Sequence, residues 1–181
     1  ESFSLERVGK SGAKFDFDKT RWFNQHYLRA KTKEELAVEL QLILRKKGVH
    51  FNNDFVAAVC EQLKERATFI KDMWEEGRYY FLPPTSYDEK TIRKKWKEHT
   101  PTHISELKDR LARLTDFSSE NIETEFKKHL SENELRMGML LPAFRLSLTG
   151  LAMGPSLFHI ASLLGKEEVL RRMQKSLKVI K

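Results

Sequence analysis

Apolar side chains recur every three or four residues along most of the chain, and this spacing constrains the fold more than any other feature. In the clearest run, Ile104, Leu107, Leu111 and Leu114 would all lie on one face of a helix. Only 8 glycines and 5 prolines occur among 181 residues, so few positions would interrupt such helices. The sequence therefore predicts an all-α protein.

Residues with helix-capping chemistry mark two of the helix starts. Thr32 and Glu35 stand three residues apart ahead of an apolar stripe, and Ser131 and Glu134 repeat that spacing. In such a capping box, the side chains of both residues accept hydrogen bonds from free backbone N–H groups of the first turn. We therefore predict that helices begin after Thr32 and after Ser131.

The segment that follows Gly77 predicts a junction. Gly77 is expected to end a helix, and residues 79–84 close with two prolines, which exclude regular helix around them. The junction would divide the chain into two helical subdomains, residues 1–85 and 86–181.

The chain is basic, with 33 Lys and Arg against 26 Asp and Glu and a formal net charge of +7. Such an excess suggests a polyanionic partner, although a basic protein may simply gain solubility from it. The densest basic run is residues 93–97. It would either contact phosphates or form a solvated helix face with Trp96 in the core, and the composition leaves both alternatives open.

The last helix is predicted to start at Glu167 and to be amphipathic. Its apolar residues Leu170, Met173 and Leu177 would face the core. Its basic side chains are predicted to point to solvent: Arg171, Arg172, Lys175 and Lys178.

The sequence lacks the residue patterns of catalysis and of metal binding. Its single cysteine, Cys60, excludes an internal disulfide and lies on an apolar stripe, which favours a place in the core. His99 and His103 are four residues apart, but Pro101 disrupts the helical pair, so no metal site is predicted. Hydrolase, metalloprotease and dinucleotide-binding motifs do not occur, and no apolar run approaches the ~20 residues that span a bilayer.

Residues 151–158 are apolar where loops are usually polar. The segment ends at a predicted helix start, where free backbone N–H groups can hold a phosphate or a base edge. The alternative is a buried connection with Leu157 and Phe158 in the core.

Several segments together resemble one family. Residues 144–150, FRLSLTG, resemble the R-x-x-L-T-G segment of bacterial-type glutamyl-tRNA synthetases. Residues 154–158 and 163–167 resemble the C-terminal end of that family, and residues 11–16 and 22–28 resemble the segment just after its catalytic signature loop. The resemblance covers essentially the whole chain, with its two ends in the right order.

The resemblance implies an anticodon-binding region made of two helical subdomains. Members of the family activate glutamate with ATP and Mg²⁺ and esterify it to tRNA in a Rossmann-type domain, whose signature motifs are missing here. We therefore expect the C-terminal part of a glutamate–tRNA ligase, without catalytic residues, metal or cofactor of its own and inactive alone. The expected partner is tRNA(Glu), and the expected state is a cytoplasmic monomer that does not associate with membranes.

By the same resemblance, two arginines would contact anticodon bases. Arg145 matches an arginine of the R-x-x-L-T-G segment, and Arg66 resembles the arginine that faces the third anticodon base and helps to separate glutamate from glutamine tRNAs. A guanidinium can donate two hydrogen bonds to the acceptors of cytosine but meets a mismatched donor pattern on guanine. The alternative for Arg66 is a surface ion pair with Glu61 or Glu65.

Gly154, Pro155, Leu157 and Phe158 resemble the family's loop that holds the unstacked anticodon. Gly154 stands where some members have a polar residue, so the resemblance gives no side-chain contact at that position.

Two other functions fit a basic helical chain. One is a helical regulator that binds nucleic acid, but no convincing helix-turn-helix with polar base-reading side chains occurs. The other is a protein-interaction module, which would have no salt-sensitive affinity for RNA.

Overall fold

The computed structural model describes residues 16–180, and in this range it confirms the all-α prediction with ten helices and no strand. Residues 11–15, part of the N-terminal resemblance, lie outside the described residues. The helices are α1 (Phe17–Ala30), α2 (Lys33–Lys46), α3 (Asn53–Leu63), α4 (Ile70–Phe81), α5 (Glu89–Lys95), α6 (Thr100–Ala112), α7 (Ser119–Glu132), α8 (Met137–Thr149), α9 (Leu157–Leu164) and α10 (Lys166–Val179).

The two predicted capping boxes have opposite outcomes. At α2 the prediction is confirmed: the Glu35 N–H donates to Thr32 Oγ1 at 3.2 Å, and the Thr32 N–H donates to Glu35 Oε2 at 2.8 Å. The box at Ser131 is wrong, because Ser131 lies inside α7 and Glu134 adopts a left-handed φ of 52°. The Leu135 N–H bonds Leu130 O at 2.8 Å, so this stretch ends a helix by a Schellman turn instead of starting one.

The prediction that Gly77 ends a helix is also wrong. α4 continues through Gly77 and includes residues 79–81, which were expected to be irregular. A Cβ at Gly77 would lie 2.3 Å from Leu63 Cδ1, so this glycine lets α3 and α4 approach closely. Pro83 restricts only the residue before it, Leu82, which is extended and ends the helix.

Buried apolar side chains form two clusters. The first is built mainly from α2, α3 and α4, and it contains Cys60 as predicted; burial raises the pKa of this thiol to about 12. The second is built mainly from α6, α7, α8 and α10, and Trp96 lies in it. α9 contributes Ile160 to the first cluster and Ala161 to the second, so it joins the two. The boundary at residue 85 stays a prediction.

The prediction that Arg172 points to solvent from α10 is wrong. Its side chain is only 2% exposed, and its Nη1 donates to Tyr79 O and Leu148 O, each at 2.7 Å. These carbonyls belong to the last turns of α4 and α8, where helices have no backbone donors left for them. Glu168 Oε1 accepts from Arg172 Nε at 2.6 Å and balances the buried charge. Arg172 therefore ties the two clusters together.

Candidate nucleic-acid interface

Arg66 lies in the turn between α3 and α4, and its side chain is about half exposed. Its Nε is 3.7 Å from Glu76 Oε2, so its ion pair is with α4 and not with Glu61 or Glu65 as the alternative proposed. Those two acids pair with Lys64 and Arg29 instead. A long, exposed pair of this kind contributes little to stability, so Arg66 can exchange Glu76 for another anion.

Arg145 projects from α8 and is partly buried. Its Nη1 is shielded from solvent and has no hydrogen-bond partner among the described residues. Burial is the main cause that lowers the pKa of Arg145, and the positive charge of Arg66 lowers it further. Arg145 and Arg66 are therefore close enough to repel each other, and this repulsion would be relieved by a negatively charged or acceptor-rich ligand.

Tyr79 and Tyr80 lie beside these arginines at the end of α4, with ring centroids 4.7 Å apart. Burial raises the pKa of Tyr79 to about 12, although Tyr80, Arg145 and Arg66 oppose the shift. Both phenols are therefore neutral at physiological pH. Neither tyrosine belongs to a motif that indicates a site, and the only sequence signal for them is their place next to the predicted junction.

The turn between α8 and α9 lies over Arg145. A Cβ at Gly154 would be 3.0 Å from Arg145 Nη1 and 3.6 Å from Tyr79 Oη, so the bare backbone of Gly154 packs on both side chains. Pro155 is half-buried, whereas Met153 is 78% exposed. The structure thus brings together Arg66, Arg145 and Gly154, which are widely separated in sequence.

Leu157 and Phe158 do not present their side chains at this surface. They are 2% and 9% exposed and pack in the second cluster, as the buried-connection alternative held. Both side chains are buried because α9 begins at Leu157, so the first turn of this helix already faces the core. Within residues 16–180 the Ser156 side chain makes no capping hydrogen bond, so the backbone N–H groups of that turn are the remaining candidates for ligand contact.

The basic run of residues 93–97 is less available to a ligand than its composition suggests. Trp96 is buried, while Lys95 Nζ donates to Gly138 O at 2.9 Å and Lys97 Nζ donates to Arg93 O at 2.6 Å. Trp96 therefore lies in the core, as the solvated-face alternative placed it, and contact of this run with phosphates stays a prediction.

Comparison with known proteins identifies the family. Residues 27–177 match the family model described as "Anticodon binding domain". The chain belongs to the anticodon-binding domain family. This match confirms the resemblance found in the sequence.

Relatives of this anticodon-binding domain include the glutamate–tRNA ligases of Phocaeicola vulgatus and Flavobacterium psychrophilum. Each is 44% identical to the chain, over 179 and 177 residues, which is 99% and 98% of the chain and 35% of each relative. A crystal structure of a glutamate tRNA ligase from Elizabethkingia meningosepticum, in complex with its amino acid, superposes with a TM-score of 0.91. It is 34% identical and covers 99% of this chain and 36% of that one.

The anticodon-binding domain spans about a third of the length of the curated relatives it matches. None of its described helices has the length and apolar character needed to cross a membrane.

Proposed function

We propose that this domain binds the anticodon arm of tRNA(Glu) as the anticodon-binding part of a glutamate–tRNA ligase. The ATP- and Mg²⁺-dependent attachment of glutamate would take place in a separate catalytic domain, and the parent enzyme would be a cytoplasmic monomer. The observation that supports the proposal is the group of Arg66, Arg145 and Gly154: Gly154 packs on Arg145, Arg66 is near enough for its charge to act on Arg145, and Arg145 Nη1 has no hydrogen-bond partner among the described residues.

This arrangement suits bases that are turned out of their stack. A single-stranded base exposes hydrogen-bonding edges that a guanidinium can read with two parallel bonds. The Gly154 backbone covers Arg145 Nη1, so a base can reach this donor only when the turn between α8 and α9 moves aside. Arg66 is about half exposed and its Nε is 3.7 Å from Glu76 Oε2, so it can turn from Glu76 to a base.

Arg66 would read the third anticodon base. Glutamate tRNAs have cytosine there, whose ring nitrogen and carbonyl both accept, whereas glutamine tRNAs have guanine, whose ring N–H and amino group donate. Facing the N1–H and amino group of the guanine Watson–Crick edge, the guanidinium would meet donors with its own donors. One good bidentate contact gives about 1–3 kcal/mol of discrimination.

The Arg66→Gln substitution is expected to remove most of the preference for the glutamate anticodon. The wild-type chain should bind a glutamate anticodon stem-loop more tightly than a glutamine one, and the variant should lose about 1–3 kcal/mol of that difference. Gel-shift titrations of both hairpins at two salt concentrations would measure the effect.

Arg113→Gln serves as the control, because it removes the same charge from the exposed end of α6. It should weaken both hairpins slightly and equally. An unchanged preference in Arg66→Gln would refute the role of Arg66. Equal wild-type affinity for a DNA duplex would favour a general nucleic-acid-binding regulator, and a lack of RNA binding would favour a protein-interaction module.

The Glu76→Gln substitution is expected to strengthen binding of the glutamate hairpin. Glu76 competes with RNA for Arg66, and an exposed pair of this kind is worth about 0.2–1 kcal/mol, so the gain should be at most about fivefold. Glu75→Gln, an exposed neighbour on α4, is the matched control for the loss of negative charge. Equal gains in both variants would show that general charge, and not release of Arg66, sets the affinity.

A further inference from the structure

Two histidines and a glutamate converge where α6 packs against α7. His103 and Glu106 are three residues apart on α6, and His129 reaches them from α7. His103 Nδ1 lies 3.5 Å from Glu106 Oε2, and His129 Nε2 lies 4.0 Å from the same oxygen. The three ligand atoms all lie within 4.8 Å of one another.

The two imidazole nitrogens that face Glu106 have no ordinary hydrogen-bond partners among the described residues. The His129 side chain is only 1% exposed, and both His129 Nε2 and His103 Nδ1 are shielded from solvent without a hydrogen bond to any described residue. Buried polar atoms in folded proteins are nearly always bonded, so two such atoms aimed at one carboxylate require an explanation.

The surroundings favour a neutral His129 and a bound cation. Burial is the main cause that lowers the pKa of His129, and the charge of Arg110 adds to it, so the ring keeps a lone pair for a ligand. Arg110 is itself held by Glu125 at 2.9 Å and by Glu132. With Glu106 included, three carboxylates therefore lie near the guanidinium of Arg110. Three lysines line the pocket beside His103: Lys94, Lys95 and Lys97.

We propose that His103, Glu106 and His129 bind a divalent transition-metal ion, with zinc as the preferred ion. Two imidazole nitrogens and one carboxylate oxygen form a ligand set typical of zinc, whereas Mg²⁺ and Ca²⁺ prefer oxygen ligands alone. Glu106 is about half exposed, which leaves the fourth position open to water.

The distances between the three ligand atoms need little adjustment to suit a tetrahedral zinc site. Bonds of about 2.0–2.2 Å in a tetrahedral site place ligand atoms about 3.4 Å apart. The separation between His103 and Glu106 already has this value, and a small side-chain movement brings His129 into range. On the far side of the ring, Asn133 Nδ2 lies 3.3 Å from His129 Nδ1 and donates to His129 O at 2.9 Å. Zinc at Nε2 leaves the ring proton on Nδ1, so zinc binding requires this amide to turn away from Nδ1. The ion would join α6 to α7.

Zinc titration of the metal-stripped chain tests the proposal. Isothermal titration calorimetry with zinc chloride should show one ion per chain with micromolar or tighter affinity, and Co²⁺ should give the visible absorption of a tetrahedral site. His103→Ala and Glu106→Gln each remove one ligand and should weaken zinc binding about tenfold or more. Zinc should also raise the melting temperature of the wild type but not that of Glu106→Gln.

His26→Ala is the control, because His26 is an exposed histidine on α1 and should leave the titration unchanged. The two α6 variants replace side chains that are at least partly exposed, so they should fold even if a change at buried His129 does not. The proposal is overturned if the wild type binds no zinc, if both α6 variants bind it as tightly as the wild type, or if His26→Ala loses the binding.

Discussion

Replacing Arg172 with methionine is expected to destabilise the protein by about 3–5 kcal/mol, because it removes one partner of a buried charged network. Glu168 would lose one of its two guanidinium partners, and the carbonyls of Tyr79 and Leu148 would lose their shared donor. Methionine has about the length of the aliphatic part of the arginine side chain but no hydrogen-bond donors. The variant therefore measures the loss of the hydrogen bonds. Urea unfolding followed by circular dichroism would measure the change.

Arg171→Met provides a matched control. Arg171 bonds the same Glu168 through two hydrogen bonds of 2.7 Å, but its side chain is 56% exposed. An exposed pair is worth about 0–1 kcal/mol, so this variant should be close to the wild type. Similar losses in the two variants would show that Glu168, and not the bond across the clusters, determines the stability.

The Gly150→Ala substitution is expected to destabilise the protein by more than the conformational cost alone, which is about 1–2 kcal/mol for a left-handed residue. Gly150 ends α8 with φ of 75°, and its carbonyl accepts from the Asp88 N–H at 2.9 Å. A Cβ at this position would lie 2.4 Å from Ser86 O and 3.0 Å from Pro84 Cβ. The substitution would therefore push the segment that joins the two clusters away from α8.

Gly48→Ala separates the two contributions. Gly48 has φ of 70°, but a Cβ there would meet nothing within 4 Å. Its alanine variant should therefore lose only the free energy that a left-handed backbone conformation costs a residue with a side chain. Thermal and urea unfolding of both variants would give the difference between them. Equal losses of unfolding free energy in the two variants would mean that residues 84–86 move aside easily. That result would contradict their close packing against Gly150.

The helices and the family could be predicted from the sequence, because both depend on short-range patterns. The periodic stripe and the capping box at Thr32 involve residues three or four apart. The structure confirms the capping box and the stripe from Ile104 to Leu111, while Leu114 lies beyond the end of α6. The errors at Gly77 and Ser131 have different causes. At Gly77 tertiary packing overrode the local preference, through the close approach to Leu63, whereas at Ser131 another local motif, the Schellman turn at Glu134, ended α7.

The candidate site could be predicted only in part. Arg66, Arg145 and Gly154 were named by resemblance, and their neighbourhood with Tyr79 became visible only in the structure. The sequence could not show that Leu157 and Phe158 point inward, because an apolar residue at a helix start is equally compatible with a ligand-facing loop and with a core.

The sequence by itself determined the helical class, the basic charge and the family, since periodicity, composition and short motifs are properties of neighbouring residues. Only the tertiary structure decided that Arg172 is buried and that His129 meets His103 and Glu106. In both cases the partners come from other helices: α4 and α8 for Arg172, and the preceding helix α6 for His129. Helix periodicity relates a residue to those three or four positions away, but the contacts between helices depend on how whole apolar faces pack together.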